Sequence, residues 1–132
     1  MFYALDANIV SYFLKGDITI IRKMEQEMRK GNDFVIPPMV YFEIRNWLLK
    51  NKSKKKTSVF EEMYSSQGIG IIDKNVLDIA SEIKIKLQNK GITIGDDILI
   101  AAYCIKHNLQ LVTNNIKHFS DIDDLQITNW KE

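Results

Sequence analysis

Along the chain, short apolar runs alternate with longer stretches in which apolar residues recur every three or four positions, a pattern that predicts strands alternating with amphipathic helices. Phe2-Tyr3-Ala4-Leu5 reads as a strand stopped by Asp6. Asn8 then starts or caps a helix through Ile9, Val10, Tyr12, Phe13 and Leu14, which Lys15-Gly16 ends. Ile18, Ile21, Met24 and Met28 keep helical spacing as far as Gly31-Asn32, while Arg22, Lys23, Glu25, Glu27, Arg29 and Lys30 take the wetter positions. Phe34-Val35-Ile36 predicts a second strand, because Pro37-Pro38 cannot continue a hydrogen-bonded ladder.

Met39 to Leu49 returns to helical spacing, with Val40, Ile44, Trp47 and Leu48 in one stripe. Val59, Phe60, Met63 and Tyr64 supply another helical face, closed by Ser65-Ser66-Gln67-Gly68. Ile69 to Ile72 predicts a central strand, and Asp73 favours the start of a helix carrying Val76, Leu77, Ile79, Ala80, Ile83 and Leu87. Gly95-Asp96-Asp97 opens a further helix whose Ala101 and Ala102 permit close approach to a sheet. Leu109 to Val112 reads as a buried strand, with Thr113, Asn114 and Asn115 emerging at its carboxyl end. Residues 119–130 predict a turn-rich return and a short edge strand, anchored by Phe119, Leu125, Ile127 and Trp130. This order of elements predicts an α/β fold with a mostly parallel sheet between helices.

Composition narrows the picture. A chain of 132 residues, 45% hydrophobic and 27% charged, suits one globular domain over residues 1–132. Lys and Arg number 18 against 17 acidic residues, so the net charge of +1 creates no bulk field for a nucleic acid and local clusters must carry that argument. The densest is Lys50, Lys52, Lys54, Lys55 and Lys56, a candidate phosphate contact or a solvated connection between helices. The single Cys104 excludes an internal disulfide framework and a multi-cysteine metal site, and reads as a small buried hydrophobe. The apolar opening before Asp6 is too short for a signal peptide or a membrane span, so a cytoplasmic protein without a membrane partner is expected.

The candidate chemistry lies in the acidic residues. Asp6 follows the first strand, Glu43 flanks the stripe of an early helix, Asp96 and Asp97 open a later one, and Asn115 follows the last buried strand. Oxygen ligands at one rim of a sheet suggest a divalent metal site. Adjacent Asp96 and Asp97 point roughly 100° apart on a helix, so only one need reach an ion. Each residue also has a plainer reading: Asp6 as a turn residue, Glu43 as a solvated partner of Arg45 or Lys50, Asp73 as a helix cap. Thr113 either orients Asn115 or a bound water, or closes the strand end structurally. His107 reads as a helix-terminal or surface residue, and His118, nearer Asn115, as a candidate substrate contact. Ser11 lacks the paired histidine and acid that a serine hydrolase needs.

With these residues in place, the chain resembles the PIN-domain ribonucleases, specifically the VapC-type toxins of toxin-antitoxin pairs. The resemblance rests on Leu5-Asp6-Ala7-Asn8, on Glu43, on Ile94-Gly95-Asp96-Asp97-Ile98-Leu99-Ile100-Ala101-Ala102, on Leu111-Val112-Thr113-Asn114-Asn115 and on Phe119, Leu125 and Trp130, nearly the whole chain in order. It implies a PIN-like α/β/α sandwich and an endoribonuclease, dependent on Mg²⁺ or Mn²⁺, that cuts structured small RNA. Asp6, Glu43 and Asp97 would be its catalytic and metal-holding carboxylates, with Asn115 at a fourth position where the family often has aspartate. Asp96 would tune the field or bind outer-shell water, and Thr113 would support the site. A cognate antitoxin and a homodimer are implied as partners; Trp47, Phe60, Met63 and Tyr64 are candidate interface residues, with core packing the alternative. Other readings stay open: a PIN nuclease of RNA processing or structured DNA, a receiver-like signalling domain built on Asp6 and Asp73, or an inactive binding domain that kept the acidic shell.

Overall fold

The computed structural model describes residues 2–67 and 70–131. Four parallel strands lie side by side in the order β2-β1-β3-β4, with β1 at Phe2–Leu5, β2 at Asp33–Val35, β3 at Gln110–Val112 and β4 at Ile127–Thr128. Helices α1 (Ala7–Leu14), α2 (Ile18–Arg29), α3 (Pro38–Asn51), α4 (Lys54–Gln67), α5 (Lys74–Asn89), α6 (Asp97–Lys106) and α7 (Ile116–Phe119) make the crossovers. This is a helix-rich fold wrapped around a parallel sheet, the α/β/α sandwich expected from the alternation of periods.

Register decides what the sheet presents. Leu5 of β1 pairs with Val112 of β3, so the residues that follow, Asp6 and Thr113, leave the sheet side by side. The chain passes from β1 to β2 on one side, while β3 lies on the other side of β1. That reversal opens a crevice beyond the carboxyl ends of the two central strands.

Local chemistry sets the helix boundaries. Asp6, not Asn8, is the N-cap of α1, its carboxylate accepting the Ala7 N–H; Asn8 lies inside the first turn. Asp17 caps α2 through the Ile20 N–H at 3.2 Å, and Asp73 caps α5 through the Val76 N–H at 3.0 Å, each worth about 1 kcal/mol. Gly16, at φ +84°, reverses the chain after α1 in the left-handed region that glycine enters without strain.

The core runs through all layers. Ala4, Leu5, Ile9, Val10, Ala101, Ala102, Leu111 and Val112 are fully buried, and the small face of α6 packs on β3. Cys104 is equally buried, and burial pushes its thiol pKa upward, which leaves it an inert small hydrophobe. Trp130 anchors the chain end, edge-on to Tyr3 at 5.2 Å and Phe34 at 5.5 Å. Phe60 is fully buried, which removes it from the candidate interface residues, whereas Met63 and Tyr64 pack on the core from partly exposed positions.

One expected strand is not formed among the described residues. Gly70 to Ile72 belong to no strand, Ile71 is 71% exposed, and Ile69 and Gly68 lie outside the described residues. Gly70 instead sits where the Tyr103 hydroxyl and the Pro38 ring leave no room for a Cβ. An apolar run of this length reads alike for a strand and for a connector crossing a packed surface.

Candidate active site at the carboxyl rim of the sheet

Asp6 is held at the crevice by its two neighbours in register and in sequence. Its Oδ1 accepts the Ala7 N–H at 2.8 Å, and its Oδ2 accepts the Thr113 hydroxyl at 2.8 Å. The fully buried Thr113 Oγ1 in turn accepts the Asn115 backbone N–H at 3.0 Å, so one hydroxyl ties the tail of β1 to the start of α7. The Asn8 amide reaches Asp6 Oδ2 and Thr113 Oγ1, both at 3.4 Å, while its Oδ1 accepts the Asn114 N–H at 3.2 Å. Asn114 also donates to the Tyr12 hydroxyl and accepts from Asn129.

The other carboxylates arrive from helices. Asp97 is the first residue of α6, and its Oδ2 meets the His118 Nε2 of α7 at 2.8 Å. Asp96 stands at the N-cap position of α6 without capping it, exposed to solvent. Glu43 lies one turn into α3. Burial, offset in part by the Thr113 and Ala7 hydrogen bonds and reinforced by the charge of Asp97, raises the Asp6 pKa. Partial burial raises that of Glu43, with Asp97, Asp6 and Asp96 adding repulsion in that order. The three sequence-predicted carboxylates and Asp96 therefore share one negative field.

Hard oxygen donors in a shared negative field are chemistry suited to a divalent cation of the Mg²⁺ type. Among the described residues, however, no three His, Cys, Asp or Glu side chains are grouped closely enough to hold a metal ion. Asn115 occupies the N-cap position of α7, and its side chain forms no cap.

Asn8, Tyr12 and Asn114 join the site beyond the residues expected from sequence, and His118, expected as a candidate substrate contact, is a partner of Asp97. The spacing of His118, three residues beyond Asn115 on α7, is the signal that places it on the same rim. The lysine run forms the connection between α3 and α4. Lys52 takes a left-handed conformation at φ 55°, Ser53 Oγ accepts the Lys56 N–H, and Lys50, Lys52, Lys54 and Lys55 project into solvent. Asp73, the second acid of the receiver-like alternative, spends its carboxylate capping α5 and lies 3.8 Å from Lys106. Among the described residues no helix is long and apolar enough to cross a membrane.

Comparison with known proteins places the fold in a family. The family model described as PIN domain matches residues 3–125. The protein named Ribonuclease VapC2 of Rickettsia felis is 32% identical over 133 residues, covering 98% of each chain, and Ribonuclease VapC1 of Haemophilus influenzae strain R2866 is 26% identical over 138 residues with the same coverage. The crystal structure of VapBC2 from Rickettsia felis bound to a promoter DNA fragment superposes with a TM-score of 0.82 at 31% identity, over 99% of this chain and 100% of that one. The DNA-bound VapBC of Salmonella typhimurium shares the fold at a TM-score of 0.83 and 22% identity, over 98% of both chains. The chain belongs to the PIN-domain family, as a close relative of the VapC-type toxins of VapBC toxin-antitoxin systems.

Proposed function

We propose that this protein is an endoribonuclease toxin, one PIN-like nuclease domain over residues 1–132, that hydrolyses phosphodiester bonds in structured small RNA with Mg²⁺ or Mn²⁺. The observation that carries this reading is the shared field of Asp6, Glu43 and Asp97 at the sheet crevice, where two of the three carboxylates have raised pKa values. A buried acid such as Asp6, with further acids repelling it from the crevice mouth, is expensive to maintain in a site with no cation to neutralise it. The relatives named ribonucleases support the reaction class.

To hold the ion, Asp6, Glu43 and Asp97 would have to draw closer together than they stand without it, with Asn115 contributing a neutral oxygen. When bound, a divalent ion polarises the scissile phosphate and acidifies an attacking water. The chain's own residues fix the donors beforehand. Thr113 and the Ala7 N–H orient Asp6, and His118 occupies one oxygen of Asp97, leaving the other for the site. Asp96, outside the hydrogen-bonded set, adds to the field. Lys50, Lys52, Lys54, Lys55 and Lys56 would contact RNA phosphates through delocalised charge.

By analogy with the relative crystallised as VapBC2, one partner would be a cognate antitoxin; a second copy of the chain and a cytoplasmic location complete the reading. The test is cleavage of a mixed small-RNA pool by antitoxin-free wild type and Asp97→Ala, each with Mg²⁺, Mn²⁺ or excess chelator and a folding check. Cuts that need the ion and vanish in the folded variant are expected. Equal cleavage by the variant, or cleavage surviving thorough chelation, rejects the mechanism.

A further inference from the structure

Glu43 and Trp47 lie four residues apart on α3, so they share a face and are separated by about 6 Å along the helix axis. Around Trp47 the fold places two ammonium groups. Lys15 Nζ, from the end of α1, lies 5.5 Å from the ring centroid, and Lys56 Nζ, from the first turn of α4, lies 6.0 Å from it. Three helices thus bring two cations to one half-buried indole. Neither lysine forms an ion pair among the described residues. Lys131, the cation over Tyr12, differs in that it is neutralised by Asp17.

Cation–π contact at a partly exposed site contributes little to stability, and two uncompensated ammonium groups on one ring repel each other. An incoming anion with an aromatic face relieves that repulsion. We propose that Trp47, Lys15 and Lys56 form a nucleotide subsite that receives an unpaired base and its adjoining phosphates from an RNA strand running toward the acidic rim. The base stacks on the indole while the ammonium groups turn to the phosphates and release counterions. The helical offset from Glu43 corresponds to about two nucleotide steps of a stacked strand at roughly 3.4 Å each. Lys56 therefore has a role apart from the other lysines of its run, and Lys15, outside that run, joins it. The subsite deepens the nuclease reading, on which its direction along the strand rests.

Binding is measured separately from cutting by titrating an unstructured oligouridylate into the protein with excess chelator and following tryptophan emission. Trp130, edge-packed and 3% exposed, is the constant background. Quenching is expected in wild type and absent in Trp47→Phe, which keeps the ring packing. Lys15→Gln/Lys56→Gln, both exchanges at solvent-facing ammonium groups, is expected to weaken binding about tenfold and to lower the salt slope by between one and two phosphate contacts. Quenching that persists in Trp47→Phe, or an unchanged affinity in the double variant, overturns the subsite. Equal quenching by polyglutamate of matched charge also overturns it, because the patch would then read acidity alone. The two readings fail separately. Trp47-dependent binding without ion-dependent cleavage upholds the subsite and removes the nuclease, whereas cleavage with an unchanged KM in Trp47→Phe removes the subsite and upholds the nuclease.

Discussion

Two carboxylates are buried beside β1, Glu27 against Tyr3 and Asp6 just past the strand's end, and their surroundings treat them in opposite ways. Glu27, 3% exposed, receives the Tyr3 hydroxyl at 2.6 Å, the Lys30 ammonium at 3.0 Å and the Asn32 amide at 3.0 Å, with Lys23 at 3.8 Å. The Tyr3 hydrogen bond, followed by that of Lys30, draws its pKa down to about 2. Asp6, 6% exposed, receives a hydroxyl and a backbone N–H but faces further carboxylates, and burial lifts its pKa. A buried acid that is fully neutralised fastens the fold; one left under-neutralised is available to bind a cation.

The comparison breaks most visibly in activity. Asp6→Asn is expected to lower ion-dependent RNA cleavage by about a hundredfold or more, beyond what loss of a supporting residue does, while Glu27→Gln leaves the rate per folded molecule near wild type. Single-turnover cleavage on protein whose folded fraction is known measures both, and similar losses would erase the distinction.

Stability should follow the reverse order. Glu27→Gln loses charge-assisted bonds to Tyr3 and Lys30, and is expected to cost about 1–3 kcal/mol at neutral pH. Because the folded pKa is depressed, Glu27 stabilises fully above the ordinary value of 4.5 and loses that contribution as pH falls toward about 2. Urea unfolding across that window should show an acid limb in wild type that is shallower in Glu27→Gln. Parallel limbs would mean that Glu27 is not the group responsible.

Thr113→Val tests the joint between the rim and the sheet. It keeps the shape while removing the donor to Asp6 and the acceptor for the Asn115 N–H, at a cost of about 1–2 kcal/mol. It should also raise the Asp6 pKa further, since the lost hydrogen bond favoured the ionised form; carboxyl NMR titration reads this directly. The smallest expected effect has the opposite sign. Raised carboxylate pKa values stabilise fully below the ordinary range and lose that contribution as pH climbs through the folded values. Metal-free Glu43→Gln is therefore expected to be slightly more stable than wild type at neutral pH, by no more than about 0.5 kcal/mol given its solvent exposure, with no gain at acid pH. A melting-temperature drop at neutral pH would show that Glu43 is held by attraction.

Much of the scaffold was legible without coordinates. β1, β2 and β3 fall within two residues of their predicted positions because short apolar runs bounded by turn-forming or polar residues (Asp6, Pro37, Asn108) admit few other structures. Asp73 was readable as a cap because its role is local. The expected strand over Ile69 to Ile72 misled, over its described residues 70–72, for the complementary reason: apolar character does not say what covers it, and Gly70 meets Tyr103 instead of a neighbouring strand. Asn8 misled at shorter range, since both Asp6 and Asn8 are good caps and only the exit angle from β1 selects Asp6.

The sequence by itself determined the alternation of β1, β2 and β3 with their helices, the burial of Ala101 and Ala102, and which residue types were present to form an acidic rim. These are local properties, set by period, size and capping chemistry within a few residues. Only the tertiary structure decided that Thr113 would meet Asp6, that His118 would meet Asp97, that Glu27 would be neutralised while Asp6 was not, and that Lys15 and Lys56 would converge on Trp47. Those pairings join residues far apart in the chain. They depend on strand register and on how helices stack across the sheet, where a shift of one residue turns every side chain to the other face.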